Sequence, residues 1–144
     1  MTSDQIELVR DSFRKILPIK SEAAALFYGR LFEIAPDVRA MFSNDLSAQG
    51  AKLMAAIGFV VAGLDKLETI VPEVQAMARR HLGYGVEEHH YAVVGEALIW
   101  TLEQGLGRAF TPQLRQAWLE AYGILAEAMI AAARNVPERI VKAA

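Results

Sequence analysis

The sequence predicts an all-α protein. Apolar residues return at helical spacing through most of its length, no segment alternates strictly as a half-buried strand does, and prolines mark the ends of the periodic stretches. Its 144 residues, 53% hydrophobic and 22% charged, suit one soluble globular domain with a large core. A net charge of −2 and the absence of a basic run argue against nucleic acid as a partner.

The first helix starts at Thr2 to Gln5, where T-x-x-Q resembles a capping box, and turns Ile6, Val9, Phe13, Ile16 and Leu17 to one face before Pro18 ends it. The second runs from Ser21, with Ala24, Phe27, Tyr28, Leu31 and Phe32, and stops before the Ala-Pro pair at 35–36. A short helix follows from Pro36 to Phe42, then the polar segment SNDLSAQG, then a helix carrying Leu53, Ile57, Val60, Val61 and Leu64. Pro72 is expected to begin the next, with Val74, Met77, Ala78 and His81 on one stripe. Two long helices complete the set of seven. One spans about 88–106, with Tyr91, Val94, Leu98 and Leu102 inward; the other starts at Pro112, capped by Thr111, and ends near Ala133. The core is expected over residues 4–133, with 134–144 a loosely held tail.

No leader-like apolar stretch opens the chain, and the longest apolar run, Leu53 to Leu64, is twelve residues, short of the roughly 20 that span a bilayer. The expectation is a cytoplasmic protein. With no cysteine, disulfides, thiolate metal sites and thioether attachment of a cofactor are excluded.

His81 falls on the inward stripe of a helix just before Gly83 and Gly85. Position alone leaves two readings: a core histidine satisfied by a carbonyl and a hydroxyl, or a metal ligand. With no second histidine at i+4 and no carboxylate at ligand spacing, zinc is poorly matched. Haem iron needs only one axial imidazole, because the porphyrin supplies four nitrogens. Met77, four residues earlier, offers a carbonyl to fix the ring, and the glycines let the chain turn close to a flat cofactor.

The segments FYGRLFEIAPDVRAMF, RRHLGYGV, HYAVVGEALIWTLEQGLGRAFT and AWLEAYGILAEAM, in this order and at these intervals, resemble the globin family, particularly bacterial single-domain globins related to neuroglobin and to the haem domain of flavohaemoglobins. The resemblance covers about residues 4–133 and implies the three-on-three helical globin fold around a non-covalent haem b. It makes His81 the proximal ligand and Phe42 the aromatic that wedges against the porphyrin. Tyr28 matches a distal tyrosine, Gln49 stands where a distal histidine occurs in vertebrate relatives, and Leu53 faces the same side. Lys52 matches a residue that pairs with a haem propionate, while Met77, Val86, Tyr91, Val94 and Leu98 would line the proximal side. Read without the resemblance, Phe42, Tyr28 and these apolar residues are ordinary core, Gln49 a loop residue and Lys52 a solvated lysine. His89 and His90 open the following helix and are expected to be exposed.

The resemblance implies binding of O2, CO and NO, with Tyr28 and Gln49 as donors that hold O2 tightly, and five-coordinate ferrous iron, since glutamine is a poor iron ligand. Flavohaemoglobin-like domains pair the proximal histidine with a tyrosine and a glutamate. Tyr91 matches the tyrosine, but Ala133 stands at the carboxylate position and Glu127 lies six residues earlier, so a weaker electronic push on the imidazole is expected. Three functions follow: a gas-binding globin engaged in O2 or NO handling; a nitric-oxide dioxygenase fed by a separate reductase, since these 144 residues hold no flavin domain; or a haem-based sensor or haem-free interaction module.

Overall fold

The computed structural model describes residues 1–42, 45–83 and 85–134. Helix α1 (Ser3–Ile16) opens with the expected reciprocal cap: Gln5 N–H donates to Thr2 Oγ1 at 3.1 Å, and Thr2 N–H donates to Gln5 Oε1 at 2.9 Å. Pro18 lies in a 3₁₀ turn (Leu17–Ile19) that leads straight into α2 (Lys20–Ile34). The chain leaves the α1 face at this turn. Leu17, expected inward, is therefore 42% exposed.

The expected short helix is a 3₁₀ turn, Pro36–Met41. Helix α3 (Leu46–Ala62) begins inside the segment read as a polar linker, because Asp45 caps it by accepting from Ala48 N–H at 3.0 Å. Helix α4 (Leu67–Gly83) begins five residues before Pro72, which sits inside it rather than at its start. An interior proline forfeits a backbone bond at a cost of about 3 kcal/mol. Burial of Ile70 and packing of Leu67, worth about 1.5 to 3 kcal/mol for each fully buried side chain, offset it. Helix α5 (Glu88–Leu106) and helix α6 (Pro112–Arg134) complete the described chain, α6 capped by Thr111 Oγ1, which accepts from Leu114 N–H at 3.2 Å. The seven expected helices thus resolve, among the described residues, into six α-helices joined in part by 3₁₀ turns. Arg134, assigned to the tail, ends α6 and grips Glu88 of α5 through two hydrogen bonds, the longer 2.9 Å. The expectation of a loose tail at 135–144 lies outside the described residues.

Helix α2 packs across both α3 and α5, while α1 and α4 lie against α6. The α2–α3 crossing is close because Gly50 faces Ala24: a Cβ at Gly50 would stand 2.8 Å from the Ala24 Cβ. In the central core, which joins Val9, Phe13, Ile99, Leu102 and Trp118, a buried polar relay ties α6 to α1. Trp118 Nε1–H donates to Ser12 Oγ at 2.8 Å, and Ser12 Oγ–H donates to the Val9 carbonyl at 2.8 Å, so no polar atom of the relay is stranded. Arg10, two residues before Ser12, fastens the middle of α1 to the C-terminal end of α3, donating to the carbonyls of Val61 and Ala62 and to Asp65 at 2.7 Å. That bond holds the Asp65 carboxyl below its ordinary range. No helix among the described residues is long and apolar enough to cross a membrane.

Candidate functional site

Helix α4 delivers His81 on its last turn. The His81 carbonyl accepts from Val86 N–H at 3.0 Å, and Leu82's from Gly85 N–H at 3.1 Å, so the chain reverses immediately after the helix. Gly85 permits this with φ +90, in the region that side-chain-bearing residues avoid; Gly83 stays helical. His81 Nδ1 lies 2.7 Å from the Met77 carbonyl. A carbonyl only accepts, so Nδ1 carries the proton and the ring's lone pair resides on Nε2. The four-residue spacing that suggested this bond is the spacing of one helical turn.

Tyr28 is held on α2 by three aromatic neighbours: Phe27 and Phe42 meet it edge-on at 5.2 and 5.4 Å between centroids, and Phe32 stacks at 5.9 Å. Burial pushes its hydroxyl up to about 12, so the group stays a neutral donor. The residue is 4% exposed. No hydrogen bond from its hydroxyl is found among the described residues.

Tyr28, Phe42, Leu53, Val94 and Leu98 belong to one apolar cluster around Leu31 and Ala97. Met77 and Tyr91 fall in another, around Ile70, Val74, Ala78 and Met129. Helix α4 packs mainly on α6, and the central core links the two clusters, since Met77 and Leu98 both pack against it. Phe42, Leu53, Met77, His81, Val86, Tyr91, Val94 and Leu98 are all half-buried, whereas their helix neighbours Met54, Ala78, Ala97 and Ile99 are buried. These residues, unlike the buried Tyr28, keep part of their apolar surface accessible. Gln49 is half-buried on α3, on the same helix face as Leu53 and beside the Gly50 crossing that approaches Tyr28. Lys52 is exposed, as a propionate partner or a solvated lysine both require. Ala133 is half-buried and Glu127 exposed.

The sequence profile of the globin family matches residues 25–129. The chain is a globin. This globin is 33% identical to neuroglobin of Danio rerio over 136 residues, an alignment covering 85% of the chain and 86% of the relative. It is 28% identical to a flavohaemoprotein of Bacillus subtilis, covering 93% of the chain but about a third (34%) of that protein's length. Its fold superposes on a bacterial globin of Campylobacter jejuni with a TM-score of 0.83 at 26% identity, covering 92% of this chain and 96% of the other.

Sequence reasoning missed the role of His90. It is buried, not exposed: its Nδ1 accepts from Glu87 N–H at 2.8 Å while the Glu87 side chain accepts from His90 N–H, a reciprocal cap that fixes the start of α5 beside Val86. The E-x-x-H spacing was the available signal, obscured because the usual capping pair is Ser or Thr with Glu. His89 is exposed, as expected. Sequence reasoning also assigned no role to Tyr122. Its hydroxyl donates to the Tyr91 carbonyl at 2.6 Å, and its ring fills the space that Gly95 leaves on α5.

Proposed function

We propose that this globin is a cytoplasmic protein that binds haem b without covalent attachment, His81 serving as the axial ligand, and handles diatomic gases. The observation that carries the proposal is the 2.7 Å bond between His81 Nδ1 and the Met77 carbonyl, which orients the ring and places the lone pair on Nε2. The donor set agrees with haem over a bare ion: no group of three or more metal-ligating side chains is found among the described residues, and one imidazole completes only a metal whose other ligands come from a macrocycle. His81 would hold haem through Nε2, and haem, when bound, would supply an iron able to bind O2, CO or NO. Phe42, Leu53, Met77, Val86, Tyr91, Val94 and Leu98 offer it an apolar lining, and Lys52 a cation for a propionate.

Tyr28 and Gln49 are the donors on the gas side. A hydrogen bond to a charged acceptor is worth about 1.5 to 3 kcal/mol, hence roughly tenfold to a hundredfold in retention. Two such donors suit tight holding, scavenging or reaction with NO better than delivery. The likeness to a flavohaemoprotein favours a second reading, nitric-oxide dioxygenation, with electrons from a separate reductase.

Absorption spectra of the purified protein, oxidised, reduced and reduced with CO, test the first reading. They are expected to show five-coordinate ferrous haem that binds CO, and His81→Ala is expected to lose haem. Colourless protein after haemin addition, or a spectrum unchanged by His81→Ala, refutes it. Sustained NO consumption with a reductase, beyond a single turnover, decides for the enzyme.

A further inference from the structure

A cavity of about 530 Å³ lies between α4, α6 and the C-terminal half of α3. Its size is that of a small-molecule site, and none of the residues assigned to haem lines it. Its origin is in the sequence of α6, which presents Ala121, Ala128, Ala131 and Ala132 where larger side chains would fill the space against Ile70 and Val74 of α4. Val71 on the same wall keeps 42% of its surface accessible.

The interior is apolar and the polarity is confined to one place. Gln75 and Arg79, one helical turn apart on α4, are both exposed and are the lining's polar side chains. Among the described residues no carboxylate lines the cavity. Arg79 has no ion-pair partner among the described residues. Two residues before His81, it projects about 160° around the helix from the imidazole, so its guanidinium and the haem ligand serve opposite sides of α4. Among the described residues this apolar, open-sided site has a cation at its rim and no anion, a pattern that selects a molecule with an apolar tail and a single negative head.

We propose that this cavity binds a single-chain anionic amphiphile of the fatty-carboxylate class, its tail between α4 and α6 and its head on Arg79. Calorimetric titration of the full-length, haem-loaded protein with dodecanoate, below the concentration at which it forms micelles, tests this. One site per chain is expected, with no change in the haem absorption spectrum. Arg79→Gln is expected to weaken dodecanoate about tenfold while leaving the neutral analogue dodecanol nearly unaffected. Ala128→Phe, which fills the chamber, should abolish binding of both. Val71→Asp, at an already exposed position, should repel the head without disturbing the fold and weaken dodecanoate at least as much as Arg79→Gln does. The calorimetric readout stands whether or not the protein takes up haem. Equal weakening of dodecanoate and dodecanol by Arg79→Gln, binding undiminished in Val71→Asp or in a folded Ala128→Phe protein, or a shifted haem spectrum overturns the proposal.

Discussion

Gly50→Ala asks whether the α2–α3 crossing is as tight as it stands. A methyl at Gly50 would lie 2.8 Å from Ala24 Cβ and 3.9 Å from Tyr28 Cε2. Contact between carbons is best at about 3.5 to 4.0 Å, so the first distance is short by about 0.7 to 1.2 Å. Neither carbon can rotate aside, because each is attached directly to a helix backbone. The helices must part, at a cost of about 1 to 3 kcal/mol for overpacking. Against that stands the gain of about 0.8 to 1.0 kcal/mol when alanine replaces glycine within a helix. The net expectation is destabilisation of up to about 2 kcal/mol, read by urea unfolding with far-ultraviolet circular dichroism. Ala24→Gly removes the opposing methyl, so in that background Gly50→Ala should stabilise by about 1 kcal/mol. The cycle should therefore show a coupling of about 1 to 3 kcal/mol. A stabilising single substitution with coupling near zero would refute the close crossing. Because Gln49 adjoins Gly50, the same substitution is expected to alter gas dissociation.

Ser12→Ala should cost about 1 to 3 kcal/mol, since it leaves the buried Trp118 N–H without its acceptor; an unchanged urea midpoint would mean water replaces the hydroxyl. Tyr28→Phe should speed O2 dissociation from the haem-loaded protein about tenfold to a hundredfold, and a rate equal to wild type would place the hydroxyl away from the gas. Burial raises Tyr28 to about 12 and raises Tyr91 and Tyr122 as well. The unfolded chain releases these protons near pH 10, before the folded one does. Their contribution to stability is therefore constant below about pH 10 and falls as pH rises towards about 12, which unfolding titrations and tyrosinate absorbance will follow.

Local signals carried most of the fold. The Thr2–Gln5 cap, the Thr111 cap and the His81–Met77 bond join residues three or four apart, so spacing alone exposes them. The errors share a different cause. Pro72 reads as a helix start by propensity, but burial of Ile70 against Gly63, the C-cap of α3, carries the helix back to Leu67. The polar residues after Asp45 read as a linker because the first turns of their helix are held by a cap and by a glycine-mediated crossing, ahead of the apolar stripe that begins at Leu53. At the site, periodicity put Tyr28, Leu53 and Leu98 inward, but the approach of Phe42 to Tyr28 from outside α2 is a tertiary fact. The choice between core histidine and ligand for His81 likewise needed motif order across the chain, not the helix alone.

The two tryptophans divide the molecule between them as optical reporters. Trp118 senses the meeting of segments 106 positions apart through its bond to Ser12, whereas Trp100 lies half-buried beneath Arg30, whose guanidinium carbon is 5.4 Å from the ring centroid. Replacing either with phenylalanine leaves a chain whose remaining emission follows one event: closure of the chain's two ends, or the docking of α2 on α5. Comparing the two traces during refolding would show whether the ends join before the middle assembles.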